Sequence, residues 1–187
     1  MRNRTLLVSI WLFATAAAAE VQDSLEYRYY DAPASPGQSL MQSLNSATPI
    51  RENGRRFHGY TKWNIRWDFR WRESGDGLCK LVSANTRVTG IVTLPRLTGG
   101  DAGQQVAFDR YVLALTQHEL GHYRIGRDAA TQIDQDLLAL PAMRDCASLE
   151  KTANDGAHRT LERFRNSERQ YDVTTGHGST QGARLDK

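Results

Sequence analysis

The segment HELGH sets two histidines, His118 and His122, four residues apart, with Glu119 directly after the first. On a helix, residues four apart lie on one face, one turn above the other. Both imidazoles can therefore aim a ring nitrogen at one cation, about 2.0 to 2.1 Å away. Glu119 points to the side, where it can reach a water beside the metal without being a ligand. The cation polarises a carbonyl and lowers the water's pKa, while the glutamate takes the proton and passes it to a leaving amine. This is the H-E-x-x-H arrangement of zinc peptidases, with His118 and His122 as ligands, Zn2+ as cofactor and Glu119 as general base. The plain alternative is a chance match. It is weakened because both histidines fall in the helix's own apolar stripe, a poor place for unpaired imidazoles.

A catalytic zinc site takes three protein ligands and keeps one position open. Two residues compete for the third place. Asp128 lies six residues after His122, the position used in H-E-x-x-H-x-x-G-x-x-H/D. The glycine that should turn the chain is one residue late, at Gly126, and Ile125 stands in its slot. If the helix continues, Asp128 is rotated by about 120° from His122 and cannot reach the metal. His177 lies in TGHGSTQG, where Gly176 and Gly178 allow the dihedrals a ligand loop needs. Its plain reading is a polar terminal tail.

These residues need elements to position them. LEYRYYD (25–31) reads as a short strand, and SLMQSLN as a short helix capped by Ser39. In TKWNIRWDFRWR (61–72), Thr61, Trp63, Ile65, Trp67, Phe69 and Trp71 alternate with polar or charged residues. Period two over this length predicts a half-buried antiparallel strand. Basic residues among aromatics also suggest nucleic-acid binding, but the aromatics share one face, which favours a core. ESGDG is a turn, followed by two more strands, the second over 86–94 and stopped by Pro95.

From about Gln104 the period changes. Phe108, Tyr111, Leu115, His118, His122, Ile125, Ala129 and Ile133 recur at helical spacing up to the break at Pro141. A second helix is predicted over 142–168, with Met143, Cys146, Leu149, Ala153, Ala157, Leu161 and Phe164 on one stripe. The remainder, YDVTTGHGSTQGARLDK, reads as loop. Strands first and helices second give an α+β class, an antiparallel sheet followed by the HExxH helix and a second long helix, zincin-like.

The first 19 residues, from MRNR through an apolar run to AAAA, have the order of a secretory signal peptide. They leave residues 20–187 as a single domain, with no stable membrane insertion after cleavage and a secreted or periplasmic destination. The chain has 24 Lys and Arg against 21 Asp and Glu, and two of the 24, Arg2 and Arg4, lie in the signal. The nearly balanced remainder gives no case for a nucleic-acid partner. In an exported chain the two cysteines, Cys79 and Cys146, are expected to form one disulfide.

The chain resembles a bacterial family of predicted secreted zinc-dependent proteases, filed among domains of unknown function. The resemblance rests on TKWNIRWDFRW, the strand ending TLP, HELGHYRI, the two cysteines and YDVTTGHGSTQG, and covers about residues 25 to 183. The family's Y-D-x-x-T-x-H-G pattern falls on Tyr171, Asp172, Thr175, His177 and Gly178. It implies His177 as third ligand. Asp172 would then hydrogen-bond a ligand's second nitrogen, and Tyr171 would donate to a developing oxyanion. His58 and His158 are expected to be packing or surface histidines.

The expected function is hydrolysis of peptide bonds in a protein or peptide substrate. Two rivals stand beside it: a non-catalytic zinc-containing scaffolding or binding protein of the envelope, and a zinc hydrolase acting on cell-wall peptide amides. Oligomeric state is left open.

Overall fold

The computed structural model describes residues 21–185. The expected signal peptide lies outside the described residues. The elements are β1 (Gln22–Ala34), α1 (Leu40–Ala47), β2 (Arg51–Glu52), β3 (Arg55–Arg56), β4 (Tyr60–Glu73), β5 (Cys79–Gly99), α2 (Ala102–Leu138), α3 (Cys146–Thr175) and the 3-10 turn η1 (Ser179–Gln181). The class is α+β. The three long strands form a mixed sheet in the order β1-β5-β4. β4 runs antiparallel to β5, as the alternation predicts, whereas β1 runs parallel to it.

β4 presents Thr61, Trp63, Ile65, Trp67 and Phe69 inward and its charged residues outward. Trp63, Trp67 and Phe69 pack against the core shared by the sheet, α2 and α3, so the aromatic face is spent on the core. Their polar atoms are also satisfied there. Trp63 Nε1 donates to Glu168 at 2.8 Å and Trp67 Nε1 to Asn154 at 3.0 Å, both acceptors on α3.

β5 is one strand of 21 residues, where two were expected. The inward phase moves from Cys79 and Leu81 to Thr86, Val88, Val92 and Leu94. The register shifts between Arg70 and Trp71 of β4, opposite Ser83 and Leu81, which leaves Val82 as an extra residue. Such a bulge breaks the period in sequence while the ladder continues in space. Pro95 does not stop the strand either. β4 last pairs at Thr93, so at Pro95 β5 has β1 on one side only, and a strand with an open side tolerates proline.

α2 begins with a capping box, in which Asp101 accepts from the Gln104 amide and the Gln104 side chain accepts from that of Asp101. Ser39 stands at the start of α1 as expected, without a side-chain cap bond. α3 runs antiparallel along α2: Thr160 meets Asp136, Glu168 lies by His122, and Asp172 by His118. It continues past residue 168 to Thr175, so Tyr171 and Asp172 belong to a helix, where a loop was expected. Gly176 then ends it in the left-handed conformation, with φ of 56°. The expected Cys79–Cys146 disulfide is present, with Cα atoms 5.2 Å apart, and ties the start of β5 to the start of α3. No described helix is long and apolar enough to cross a membrane.

Candidate metal centre

His118 and His122 sit midway along α2, on the face covered by the end of α3. Both are buried, as is Glu119. His118 Nε2 lies 3.2 Å from His122 Nε2. Asp172 Oδ1 lies 3.2 Å from the first and 3.0 Å from the second. These three donors form a compact triangle that could hold a metal ion. Around a tetrahedral cation with ligands at about 2.0 to 2.1 Å, neighbouring donor atoms stand about 3.3 Å apart. The triangle has that edge. Two imidazole lone pairs brought so close repel each other unless a positive charge lies between them.

The electrostatics point the same way. Burial works against the charged form of His122, but the carboxylates of Asp172 and Glu168 prevail and raise its pKa to about 9. Burial works to raise Asp172, but hydrogen bonds from His118 and His122 hold its carboxyl well below the usual carboxylate range. The pocket stabilises one positive charge at the meeting point of the three side chains. A metal cation held there would supply that charge in place of the proton.

The supports of the two histidines differ. His118 Nδ1 is 2.9 Å from Gln181 Oε1 in η1, and Gln181 Nε2 donates to the Tyr171 hydroxyl at 3.0 Å. An amide oxygen only accepts, so it favours a proton on His118 Nδ1, the tautomer that would turn the Nε2 lone pair to a cation in the triangle. The Tyr171 ring stacks on His118 with centroids 5.0 Å apart, and meets His122 edge-on. Its hydroxyl turns to the backbone oxygen of His118 at 3.3 Å, away from the cleft. On this placement the Tyr171 ring packs against both imidazoles. Gln181 was missed, because a lone glutamine carries no signal in sequence. His122 Nδ1 lies 3.4 Å from Glu168 Oε1 but off hydrogen-bond geometry; that oxygen instead accepts from Trp63.

Glu119 projects toward β4. Its Oε2 accepts from the Thr61 hydroxyl at 2.8 Å, and the same hydroxyl is 3.0 Å from its backbone oxygen. Burial pushes its carboxyl above the usual range. A Cβ at position 59 would lie 2.5 Å from Glu119 Oε1, so Gly59 keeps this flank open.

The two competing third ligands fall differently. Asp128 is exposed on the uninterrupted α2 helix and lies outside the cleft. His177 lines the cleft, at φ of 52° just past the α3 cap, with Nδ1 3.4 Å from Asp172 Oδ1 and its ring 5.0 Å from Phe57. It is not part of the triangle, where the carboxylate of Asp172 stands instead. Of the other histidines, His58 is buried between Tyr111 and Asn45, and His158 packs edge-on against Trp67. The cleft over the triangle holds about 460 Å³ and is walled by Gly59 and the first residues of β4, 60–63, by α3 and by the β2–β3 hairpin.

Fold and site thus give an α+β domain with a candidate two-histidine, one-aspartate centre on an antiparallel helix pair. Residues 27–178 match the family described as "Bacterial protein of unknown function (DUF922)", and the chain belongs to it. That description carries no activity, so the protease character attached to the sequence resemblance is not part of it. No curated protein and no solved structure matches the chain.

Proposed function

We propose that the protein is an exported zinc-dependent metallopeptidase in which His118, His122 and Asp172 hold the metal and Glu119 is the general base. The observation that carries this reading is the donor triangle, with sides of 3.0 to 3.2 Å, whose two histidines share α2 with a buried glutamate. When bound, zinc polarises a substrate carbonyl and acidifies water. Glu119 takes the proton of the attacking water and returns it to the leaving amine. A carboxyl raised by burial suits that exchange better than an ordinary one, because its proton affinity lies nearer neutrality. Thr61 holds one of its oxygens in place.

A peptide is the substrate that fits the walls. β4 is the outer strand of the sheet, and its residues 60–63 line the cleft. An extended chain can add to such an edge through main-chain hydrogen bonds. The signal-like N-terminus supports a secreted or periplasmic location, and the disulfide suits an oxidising compartment.

A closed, non-catalytic zinc site would need a fourth protein donor, and His177 is the group within reach, 3.4 Å from Asp172. A turnover assay separates the two readings. The mature protein loaded with zinc should cleave members of a fluorogenic peptide library. Glu119→Gln should keep the metal and lose about 10²-fold or more of that rate. A zinc-loaded parent that cleaves no peptide or protein sinks the peptidase reading.

A further inference from the structure

The cleft's mouth is basic. Arg55 and Arg56 stand on one wall, Lys62 on β4, and Arg165 and Arg169 on α3; all five are exposed. Among the described residues, Arg55, Arg56, Lys62 and Arg169 have no carboxylate within ion-pair distance, and Arg165 is held by Glu162. The cleft's acids lie deeper than these cations: Glu119 is buried against Thr61, Asp172 faces the histidines, and Glu168 is part-buried against Trp63. Glu52 is the one exposed acid of the mouth.

The hairpin that carries two of these arginines has a defined turn. Asn53 and Gly54 both take positive φ, 49° and 76°, the two-residue turn that fits the twist of a tight hairpin. The Arg55 guanidinium lies 5.4 Å over the Phe57 ring, and that ring lies against His177 at 5.0 Å. One cation is therefore carried on an aromatic platform that touches the centre's edge. A rim on which exposed cations outnumber exposed acids draws ligands of the opposite sign toward the cleft.

We infer that this mouth selects acidic peptides, extended chains with Asp or Glu flanking the bond presented to the metal centre. The cleavage part rests on the metallopeptidase reading above; the binding part does not. Guanidinium groups pair with carboxylates in a fork geometry that neutral side chains cannot match, and β4's open edge holds the main chain between them.

The test uses three labelled peptides of one length, with acidic, neutral or basic residues about a common centre. Binding is read by fluorescence anisotropy on zinc-loaded Glu119→Gln protein, so turnover is not needed. The acidic peptide should bind about tenfold or more tightly than the neutral one at low ionic strength. That preference should collapse toward unity at about 0.5 M salt, where charges farther apart than a few ångströms are screened. Adding Arg55→Ala and Arg56→Ala should remove most of the preference. Adding Arg66→Ala and Arg70→Ala, the same charge lost from the outer face of β4, should not. Equal binding of the three peptides, tighter binding of the basic one, or equal losses in both double variants would overturn the inference. So would a labelled oligonucleotide of equal charge binding more tightly than the acidic peptide. If the acidic peptide binds selectively and the parent cuts none of the three, the selectivity stands and the peptidase reading fails.

Discussion

Gly121 and Tyr171 share one small space. A Cβ at position 121 would lie 2.8 Å from Tyr171 Cε1 and closer still to its hydroxyl. The glycine lets the tyrosine of α3 come flat against α2, where its ring covers His118 and meets His122. The helix H-E-x-G-H can thus approach its partner closely enough for Asp172, the next residue after Tyr171, to reach both imidazoles.

Gly121→Ala is accordingly expected to destabilise the protein by about 1 to 3 kcal/mol, as overpacking does. The gain in helix propensity, about 1 kcal/mol, acts in the opposite direction and does not cancel it. Urea denaturation of parent and variant at equal metal load measures the difference. An unchanged or higher midpoint would contradict this packing.

Gln181→Leu should weaken metal binding by about 10- to 100-fold, the usual effect of removing a group that orients a ligand. Gln181→Glu should keep most of the affinity, since a carboxylate also accepts from His118 Nδ1. Metal competition with a chromogenic chelator reads both variants.

The metal-free protein should show a definite pH profile. His122 is raised above its ordinary pKa, so its contribution is full below the unfolded value of about 6.5 and is lost as the pH rises through about 9. Asp172 is depressed, so its contribution is present above the unfolded value of about 3.9 and is lost as the pH falls further. Glu119, raised by burial, loses its contribution above the unfolded value of about 4.3, so thermal unfolding in chelator should give the highest midpoint near pH 4 to 5 and decline further above pH 6.5. In Asp172→Asn the decline above pH 6.5 should shrink. Bound metal should reverse the alkaline limb, because its ligands must lose protons to bind.

Much of this architecture is written locally. The strict alternation of 61–72 announces β4, and the three-and-four spacing from Phe108 to Ile133 announces α2 with both histidines on its inner face. The two cysteines announce their own bond. What failed to show depends on pairing between distant segments. β5 looked like two strands because the bulge at Val82 shifts its phase, and its tolerance of Pro95 follows from where β4 stops pairing. The run YDVTT looked like loop because threonine and valine have weak helix propensity, yet packing against α2 carries the helix to Gly176. Once α3 extends that far and runs antiparallel to α2, Asp172 falls beside His118 and His122. The Y-D-x-x-T-x-H-G pattern marks Asp172 as a partner of a ligand, but only this packing brings it to both imidazoles; no local signal marks Gln181.

Removing the disulfide tests whether the far end of α3 matters to the centre. The bridge closes a separation of 67 residues, and replacing both Cys79 and Cys146 with Ala should cost about 3 to 5 kcal/mol. Metal affinity measured well below the unfolding midpoint should change little, because Asp172 lies at the opposite end of α3. A large loss of affinity in the folded variant would show that the bridge sets the centre's geometry.

The most direct measurement is metal content by elemental analysis of the mature protein, after dialysis in zinc-replete buffer, beside four variants. The parent is expected to hold one zinc per chain. His118→Ala and Asp172→Ala should lose it, while Glu119→Gln and His177→Ala should retain it. A parent without zinc, or an Asp172→Ala protein that binds as well as the parent while His177→Ala does not, would contradict the two-histidine, one-aspartate centre.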